Sequence, residues 1–248
     1  LLDQMDARGV TFAPASGRQV WTLIDMFPGR PGMTVIGENG GIVMRDGVEV
    51  SSSPLDAPTM REVVRLVREA TSGPDGIDGG LVMCGKQFAY VERTDDRFVD
   101  GVMPYYHRTK RIDDQIAIID AIEAGQIDDA IVKLAVYVIG PVQALAEATL
   151  ANFADTHQYA ISGANWADLQ IRGVDKGSAV RDLQRFLGVD RSQTAVFGDA
   201  GNDLSMMSEG DLSFAMANAS QDVVEAARFV APSNNEAGVA QVLRALLV

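Results

Sequence analysis

The hydrophobic positions of the chain follow two different spacings, and these spacings alternate along the sequence. Short apolar runs such as MTVIG and TAVFG have the length and composition of buried strands. Segments such as GSAVRDLQRFL instead place apolar residues at the spacing of one helical face. Strands that alternate with helices predict a mostly parallel sheet wrapped by helices.

The N-terminal part of the chain shows this alternation. The pattern predicts a helix that closes at Gly9, a strand over VTFAPA, and a helix within SGRQVWTLIDMF. Two β-rich arms flank Asp46-Gly47, which is a strong signal for a two-residue hairpin turn. The alternation returns after the segment ADLQI and continues to the C-terminal end.

The middle of the chain shows a different pattern of apolar and polar residues. From about Ser51 the pattern predicts an amphipathic helix, APTMREVVRLVREA, a hairpin that turns at Gly85-Lys86, and a strand, VKLAVYVIG. This pattern indicates an α+β arrangement, in which strands and helices are segregated. We therefore predict a doubly wound α/β domain over residues 1–52 and 166–248, interrupted by an inserted α+β domain over residues 53–165.

Composition and charge argue against several classes of function. The chain has 248 residues, of which 47% are hydrophobic, enough for sizeable cores. Its formal net charge of -13 argues against nucleic acid and anionic membranes as partners, because both need clustered Lys and Arg. The sequence has no apolar run of membrane-spanning length. A single cysteine, Cys84, excludes an internal disulfide and a cysteine-rich metal site, and it is typical of a reducing compartment, so we predict a cytoplasmic protein.

Acidic residues are concentrated at one strand-to-helix corner, in the segment AVFGDAGNDLSMM. Asp199 follows the predicted strand directly, and Asn202 and Asp203 lie at the start of the next helix. Ligands of open α/β sheets bind at the carboxyl ends of the strands. Two carboxylates at such a corner suit Mg²⁺, which binds one or two carboxylates together with water and substrate phosphate. For this segment alone, a simple turn with acidic capping residues is the open alternative.

Two further corners carry residues that suit an anion. Lys176 precedes an amphipathic helix, where its cation and the free helix N–H groups can bind phosphate. Ser16 and Gly17 lie between a predicted strand and a predicted helix, so the hydroxyl and the backbone amides can bind a phosphate oxygen. Each feature alone is common at protein surfaces. Their occurrence at strand-to-helix corners of one sheet favours a site for phosphate and a cation.

The ordered set of these motifs resembles the haloacid dehalogenase superfamily. The set comprises SGR at residues 16–18, Asn39-Gly40 in GENGG, Lys176 in GVDKG, and GDAGND at residues 198–203. The segments AMANAS and APSNNEAGVA are similar to those of its Cof-type (subclass IIB) phosphatases, which carry a large inserted cap domain of the C2 type. The resemblance implies a Rossmann-like core and a Mg²⁺-dependent phosphatase. Such an enzyme hydrolyses small phosphomonoesters, usually sugar phosphates, through an aspartyl-phosphate intermediate.

The same resemblance assigns roles to individual residues. Ser16 matches the hydroxyl that binds the transferring phosphoryl group, and Lys176 matches the lysine that neutralises the nucleophile and the phosphate. Asn202 matches a polar contact to phosphate or nucleophile, and Asp199 and Asp203 match the metal-ligating carboxylates. These roles meet the needs of phosphoryl transfer, in which negative charge spreads over the equatorial oxygens.

The sequence departs from the family pattern at its beginning. The family's nucleophile and general acid/base are two aspartates, one residue apart, after the first core strand, and no such Asp-x-Asp stands before Ser16. We expect a strand that ends in this motif upstream of Leu1. Two alternatives stay open: a phosphomutase or phosphotransferase on the same fold, and a non-catalytic phosphate-binding protein if the motif is truly absent.

The inserted domain offers polar and aromatic candidates for substrate contacts, namely Arg93, Tyr105, Tyr106, His107 and Arg108. An ordinary surface helix and loop is the favoured interpretation of this segment. The predicted partner of the protein is a small phosphorylated molecule.

Overall fold

The computed structural model describes residues 1–30 and 32–247, and the chain divides into two compact units. The first unit comprises Leu1–Ser16, Gly29–Ser51 and Asp175–Val248, and the second comprises Gly17–Pro28 and Ser52–Val174. Each unit has its own sheet structure and its own hydrophobic core. Within the described residues, no helix combines the length and the apolar character that crossing a bilayer requires.

The regular elements follow the order of the chain. The helices are α1 (Leu2–Ala7), α2 (Val20–Asp25), α3 (Ala57–Thr71), α4 (Asp96–Val102), α5 (Gln115–Glu123), α6 (Gln143–Ala148), α7 (Lys176–Leu187), α8 (Leu204–Met207), α9 (Gln221–Ala226) and α10 (Gly238–Leu246). The strands are β1 (Val35–Gly37), β2 (Ile42–Arg45), β3 (Val48–Ser52), β4 (Gly79–Gly85), β5 (Ala89–Val91), β6 (Thr109–Arg111), β7 (Ile131–Val138), β8 (His157–Ile161), β9 (Trp166–Ile171), β10 (Ala195–Gly198), β11 (Leu212–Met216) and β12 (Phe229–Ala231). Short 3-10 turns lie at Glu38–Gly40, Leu150–Phe153, Arg191–Gln193, Gly201–Asp203 and Asn234–Glu236.

The C-terminal part of the first unit forms the predicted parallel sheet. Strands β10, β11 and β12 pair in parallel and in that order. Their register stacks Phe197 on Phe214, with ring centroids 4.8 Å apart, and brings Phe229 to 5.3 Å from Phe214. The carboxyl ends of these strands therefore lie along one edge, and the loop after β10 carries the predicted site residues Asp199, Asn202 and Asp203.

The N-terminal part of the first unit forms a sheet of β1, β2 and β3. Between β2 and β3, Asp46 and Gly47 have φ angles of 51° and 74°, the left-handed values that a type I′ hairpin turn requires. This confirms the hairpin predicted from Asp46-Gly47. Helix α1 also agrees with prediction, because it ends shortly before Gly9, whose φ is 69°.

The predicted strand over VTFAPA is not a regular strand. Among the described residues, the strand-type pairing of this segment consists of one parallel bridge between Ala15 and Ile36. The N–H of Ile36 donates to the carbonyl of Pro14 at 2.9 Å, and the N–H of Ser16 donates to the carbonyl of Ile36 at 3.0 Å. An extended residue presents its N–H and its C=O on the same side, so Pro14, which has no N–H, cannot donate to β1, and the regular ladder stops there.

The second unit contains a six-stranded sheet in the order β6-β5-β4-β7-β9-β8. Its pairs are antiparallel except for β5 with β6, and the predicted hairpin after Gly85 joins β4 to β5. One sheet face packs on buried residues of α3, α5 and α6, including Val63, Ile119 and Leu145. The other face packs on a cluster with Phe98 of α4.

Candidate active site

A buried ion pair lies beside the loop that follows β10. The ammonium of Lys176 donates to Oδ1 of Asp203 over 2.6 Å, and the two residues are 5% and 6% exposed. Lys176 is the first residue of α7, whose N-terminus is closed by a capping box between Asp175 and Ser178. The start of a well-capped helix therefore fixes the position of this cation.

The second carboxylate oxygen of Asp203 closes the same loop. Oδ2 accepts hydrogen bonds from the backbone N–H groups of Asp199 at 3.0 Å and Ala200 at 3.2 Å. Gly198 permits this close turn, because a Cβ there would lie 2.5 Å from the Cβ of Asp203. Asp203 thus joins the backbone of the loop to the buried ammonium of Lys176.

The carboxylate of Asp199 is presented differently, since this residue is exposed at the end of β10. Its Oδ2 accepts a hydrogen bond from Nδ2 of Asn218 at 3.3 Å, and its backbone carbonyl accepts one from the N–H of Ser220 at 2.9 Å. Among the described residues, Oδ1 of Asp199 has no hydrogen-bond partner. This oxygen can therefore bind a cation.

Sequence reasoning did not identify Asn218 as a site residue. The side chain of Asn218 donates to Asp199 and accepts a hydrogen bond from the N–H of Asn234 at 3.0 Å. It therefore connects the loops after β10, β11 and β12. The available signal was the position of AMANAS, because this segment follows β11 at the same sheet edge as GDAGND.

A second set of contacts joins Asn202 to the turn after β1. Nδ2 of Asn202 donates to Oδ1 of Asn39 at 3.1 Å, and the N–H of Asn39 donates to the carbonyl of Ser16 at 3.0 Å. Gly40 has a φ of 96°, and a Cβ there would lie 2.2 Å from the carbonyl oxygen of Asp175. Within the first unit, Asn39 thus links Ser16 to Asn202. The turn of the GENGG segment packs on the start of α7.

The remaining candidates lie in the second unit. The carbonyl of Gly17 accepts a hydrogen bond from the ammonium of Lys133 at 2.8 Å. Tyr106 is buried, so it is not part of an exposed surface that could contact substrate. Its neighbours Tyr105, His107 and Arg108 are exposed. The guanidinium of Arg93 is occupied by ion pairs, at 2.6 Å to Asp78 and 2.5 Å to Asp95.

The oxygen donors of the first unit fit a hard cation bound largely through water and phosphate. Among the described residues, no group of at least three His, Cys, Asp or Glu side chains is arranged to hold a metal ion. Asp199 offers one exposed carboxylate, and Asp203 already binds Lys176. Mg²⁺ commonly uses one or two carboxylates and completes its shell with water and substrate phosphate. This donor chemistry is compatible with Mg²⁺.

Comparison with known proteins identifies the family. Residues 1–243 match the family described as haloacid dehalogenase-like hydrolase. The chain is 34% identical, over 253 residues, to the 5-amino-6-(5-phospho-D-ribitylamino)uracil phosphatase YbjI of Escherichia coli (strain K12). That alignment covers 98% of this chain and 86% of the relative.

Solved structures share the fold. SMU.1108c from Streptococcus mutans UA159 superposes with a TM-score of 0.79 at 23% identity, covering 99% of this chain and 89% of that one. The HAD subclass IIB sugar phosphatase BT4131 gives a TM-score of 0.75 at 17% identity, covering 100% of this chain and 90% of that one. These similarities confirm the predicted α/β fold class. The family match over residues 1–243 and the relative that is 34% identical show that the chain belongs to the haloacid dehalogenase-like hydrolase family and is a phosphatase.

Proposed function

We propose that the protein is a Mg²⁺-dependent phosphatase of small phosphomonoesters, with phosphorylated sugars or polyols as substrates. The observation that carries this proposal is the loop after β10. It presents the exposed carboxylate of Asp199 beside the buried pair of Lys176 and Asp203. Phosphoryl transfer needs a fixed positive charge and a cation ligand; Lys176 at the start of α7 supplies the first and this loop supplies the second.

Each proposed residue has a distinct task. A bound Mg²⁺ would neutralise phosphate charge, with Asp199 as its carboxylate ligand and Asp203 as the second acidic residue of its surroundings. Lys176 would stabilise the negative charge of the phosphoryl group as it is transferred. The hydroxyl of Ser16 and the adjoining turn would bind a phosphate oxygen, and Asn202 would donate an amide N–H.

The nucleophile is proposed to be an aspartate of an Asp-x-Asp motif upstream of Leu1, which forms the aspartyl-phosphate intermediate. Among the described strands, β10 pairs with β11 alone, so its other edge can accept a further strand. The carboxyl end of a parallel strand added there would meet the loop that carries Asp199. We propose residues 1–52 and 166–248 as the core and residues 53–165 as the C2-type cap; residues 17–28 and 166–174 differ from this division, because they belong to the second unit.

The substrate class is supported by the relative that is 34% identical to this chain. The name of that relative specifies a phosphate ester of a ribitylamino-substituted uracil. A pyrimidine-linked pentitol phosphate is therefore the first substrate to assay. A cytoplasmic location stays a proposal, in line with the single buried thiol of Cys84.

Release of inorganic phosphate tests this function. The full-length protein is assayed with 5-amino-6-(5-phospho-D-ribitylamino)uracil, ribose 5-phosphate, glucose 6-phosphate and p-nitrophenyl phosphate, each with Mg²⁺ and with EDTA. We expect release that needs Mg²⁺ and is lost in Asp199→Asn. Phosphate transfer to a second sugar without release would indicate a phosphomutase or phosphotransferase. Binding without any turnover would indicate a non-catalytic protein, and turnover that survives exhaustive metal removal would contradict the Mg²⁺ dependence.

A further inference from the structure

Lys133 is a buried lysine in β7, at the centre of the six-stranded sheet, and it is only 1% exposed. Its ammonium donates to the carbonyl of Gly17 at 2.8 Å and lies 3.8 Å from Oδ1 of Asp168, which is also buried. Burial of an ammonium costs several kcal/mol unless close partners compensate for the lost hydration. Its hydrogen-bonded partner is the backbone of the residue that directly follows Ser16.

The segment after Gly17 is attached to the same unit by its side chains. Gln19 is fully buried, and its side chain forms two hydrogen bonds with the backbone of Arg108. Nε2 of Gln19 donates to the Arg108 carbonyl at 3.1 Å, and the Arg108 N–H donates to Oε1 at 2.9 Å. The backbone N–H of Gln19 also donates to the carbonyl of Tyr105 at 3.2 Å.

Further contacts continue this attachment along α2. The hydroxyl of Thr22 donates to the carbonyl of Tyr105 and accepts from the N–H of His107, both at 3.0 Å. The indole of Trp21 donates to the carbonyl of Lys86 at 2.9 Å. Several independent hydrogen bonds therefore attach residues 17–22 to the rest of the second unit. The hydrogen bond of Lys133 is made to Gly17, the residue of this segment that is nearest to Ser16 in the chain.

Ser16 itself is held by its backbone within the first unit. Its N–H donates to the carbonyl of Ile36, and its carbonyl accepts from the N–H of Asn39, both at 3.0 Å. Gly17 is the next residue, and a glycine has the widest choice of backbone conformations. A hydrogen bond to the Gly17 carbonyl restricts the backbone conformations of this residue. It thereby orders the turn that directly follows Ser16.

We propose that Lys133 is a positioning residue for the phosphate-binding turn, which it orders through the carbonyl of Gly17. The inference rests on the proposed function, because it assumes that Ser16 binds phosphate. Lys133 acts through the turn and does not itself touch the phosphate. Loss of its ammonium should therefore loosen residues 17–22 and weaken phosphate binding only while the Ser16 hydroxyl is present.

The test compares Lys133→Met with Lys110→Met, which removes an exposed lysine of the same unit. Lys133→Met leaves the buried carboxylate of Asp168 without its lysine. The double variant Lys133→Met/Asp168→Asn removes that charge as well, and it serves as the folded variant if the single one is unstable. Amide hydrogen exchange is measured over residues 17–22 in each protein. We expect exchange at least about tenfold faster without Lys133, since the local opening loses one hydrogen bond to a charged group. Exchange unchanged from that of Lys110→Met would overturn the inference, whatever the activity of the protein.

A second measurement uses inorganic phosphate with Mg²⁺ in titration calorimetry. We expect Lys133→Met to raise the Kd of phosphate about tenfold in the wild-type background and to leave it unchanged in Ser16→Ala, because coupled residues give non-additive effects. Equal effects in both backgrounds would show a general structural role and contradict the positioning role. If wild-type protein bound no phosphate, the proposed function would fail, and the exchange measurement would still decide whether Lys133 orders the turn.

Discussion

One carboxylate, that of Asp203, binds the ammonium of Lys176 through one oxygen and the backbone of the Asp199 loop through the other. The charge of the lysine and the shape of the loop are therefore linked through a single buried side chain. A change in either partner should affect stability and phosphate chemistry together.

Removal of the lysine should be costly for folding. Lys176→Met leaves the carboxylate of Asp203 buried without its cation, and loss of one partner of a buried pair typically costs about 3–5 kcal/mol. Urea unfolding measures this change in free energy. Arg185→Ala is the control, since it breaks an exposed ion pair with Asp182, and such pairs contribute about 0–1 kcal/mol. Similar losses in the two variants would contradict a stabilising role for the pair.

The kinetic effect of a lysine variant should fall mainly on the chemical step. The charge that Lys176 balances grows in the transition state, so we expect Lys176→Ala to lower kcat more than it raises KM. Steady-state kinetics with p-nitrophenyl phosphate and Mg²⁺ check this, at a temperature where the variant is folded. An effect confined to KM would contradict the proposed role.

The two site aspartates should respond differently to the same substitution. Asp199→Asn changes an exposed side chain, so we expect its free energy of unfolding to stay within about 0.5 kcal/mol of wild type while Mg²⁺-dependent activity is lost. The two oxygens of Asp203 accept hydrogen bonds from three donors. Asp203→Asn replaces one of these oxygens with an NH2 group, which cannot accept, so this variant should unfold more easily than wild type. Thermal unfolding and Mg²⁺ titration of both variants make the comparison. Wild-type activity in Asp199→Asn would remove Asp199 as the metal ligand.

Asn218 should act through Asp199. Asn218→Leu removes the amide that contacts Oδ2 of Asp199, and loss of such an outer partner typically weakens metal affinity about 10- to 100-fold. Titration of activity with Mg²⁺ gives the apparent affinity. Gln221→Leu is the matched control, because this exposed glutamine bonds Glu225 on its own helix. If both variants needed the same Mg²⁺ concentration as wild type, Asn218 would have no part in metal binding.

The second unit should lose stability at alkaline pH through Tyr90. Burial raises the pKa of the Tyr90 hydroxyl well above its usual range, and the hydrogen bond that it donates to Asp129 over 2.8 Å raises it further. An unfolded tyrosine titrates near pH ~10. The resulting stabilisation is fully present below that pH and is lost as the pH rises above it.

Denaturant unfolding at pH 8 and above pH 10 tests this expectation. The wild-type protein should lose more unfolding free energy between the two conditions than Tyr90→Phe does, because phenylalanine has no proton to release. Tyr105→Phe, at an exposed position, should follow the wild type. Identical pH profiles for wild type and Tyr90→Phe would show that Tyr90 does not titrate in this way.

Short-range features of the fold could be predicted from the sequence. The hairpin at Asp46-Gly47 depends on two adjacent residues that tolerate positive φ angles, and the amphipathic pattern of α7 depends on residues within one helix. The alternation of strands and helices likewise predicted the parallel β10-β11-β12 sheet. The strand predicted over VTFAPA was wrong, because a regular strand needs paired neighbours, and among the described residues the strand-type pairing of this segment is one bridge between Ala15 and Ile36.

The sequence by itself determined local positions, because Asp199 directly after β10 and Lys176 at the start of α7 follow from local pattern. Only the tertiary structure decided their partners. It divided the two oxygens of Asp203 between Lys176 and the Asp199 loop, and it brought Asn218 to Asp199. It also joined Lys133 to Gly17 across 116 positions of the chain. Such contacts depend on strand order and helix placement, which no local spacing of hydrophobic and polar residues specifies.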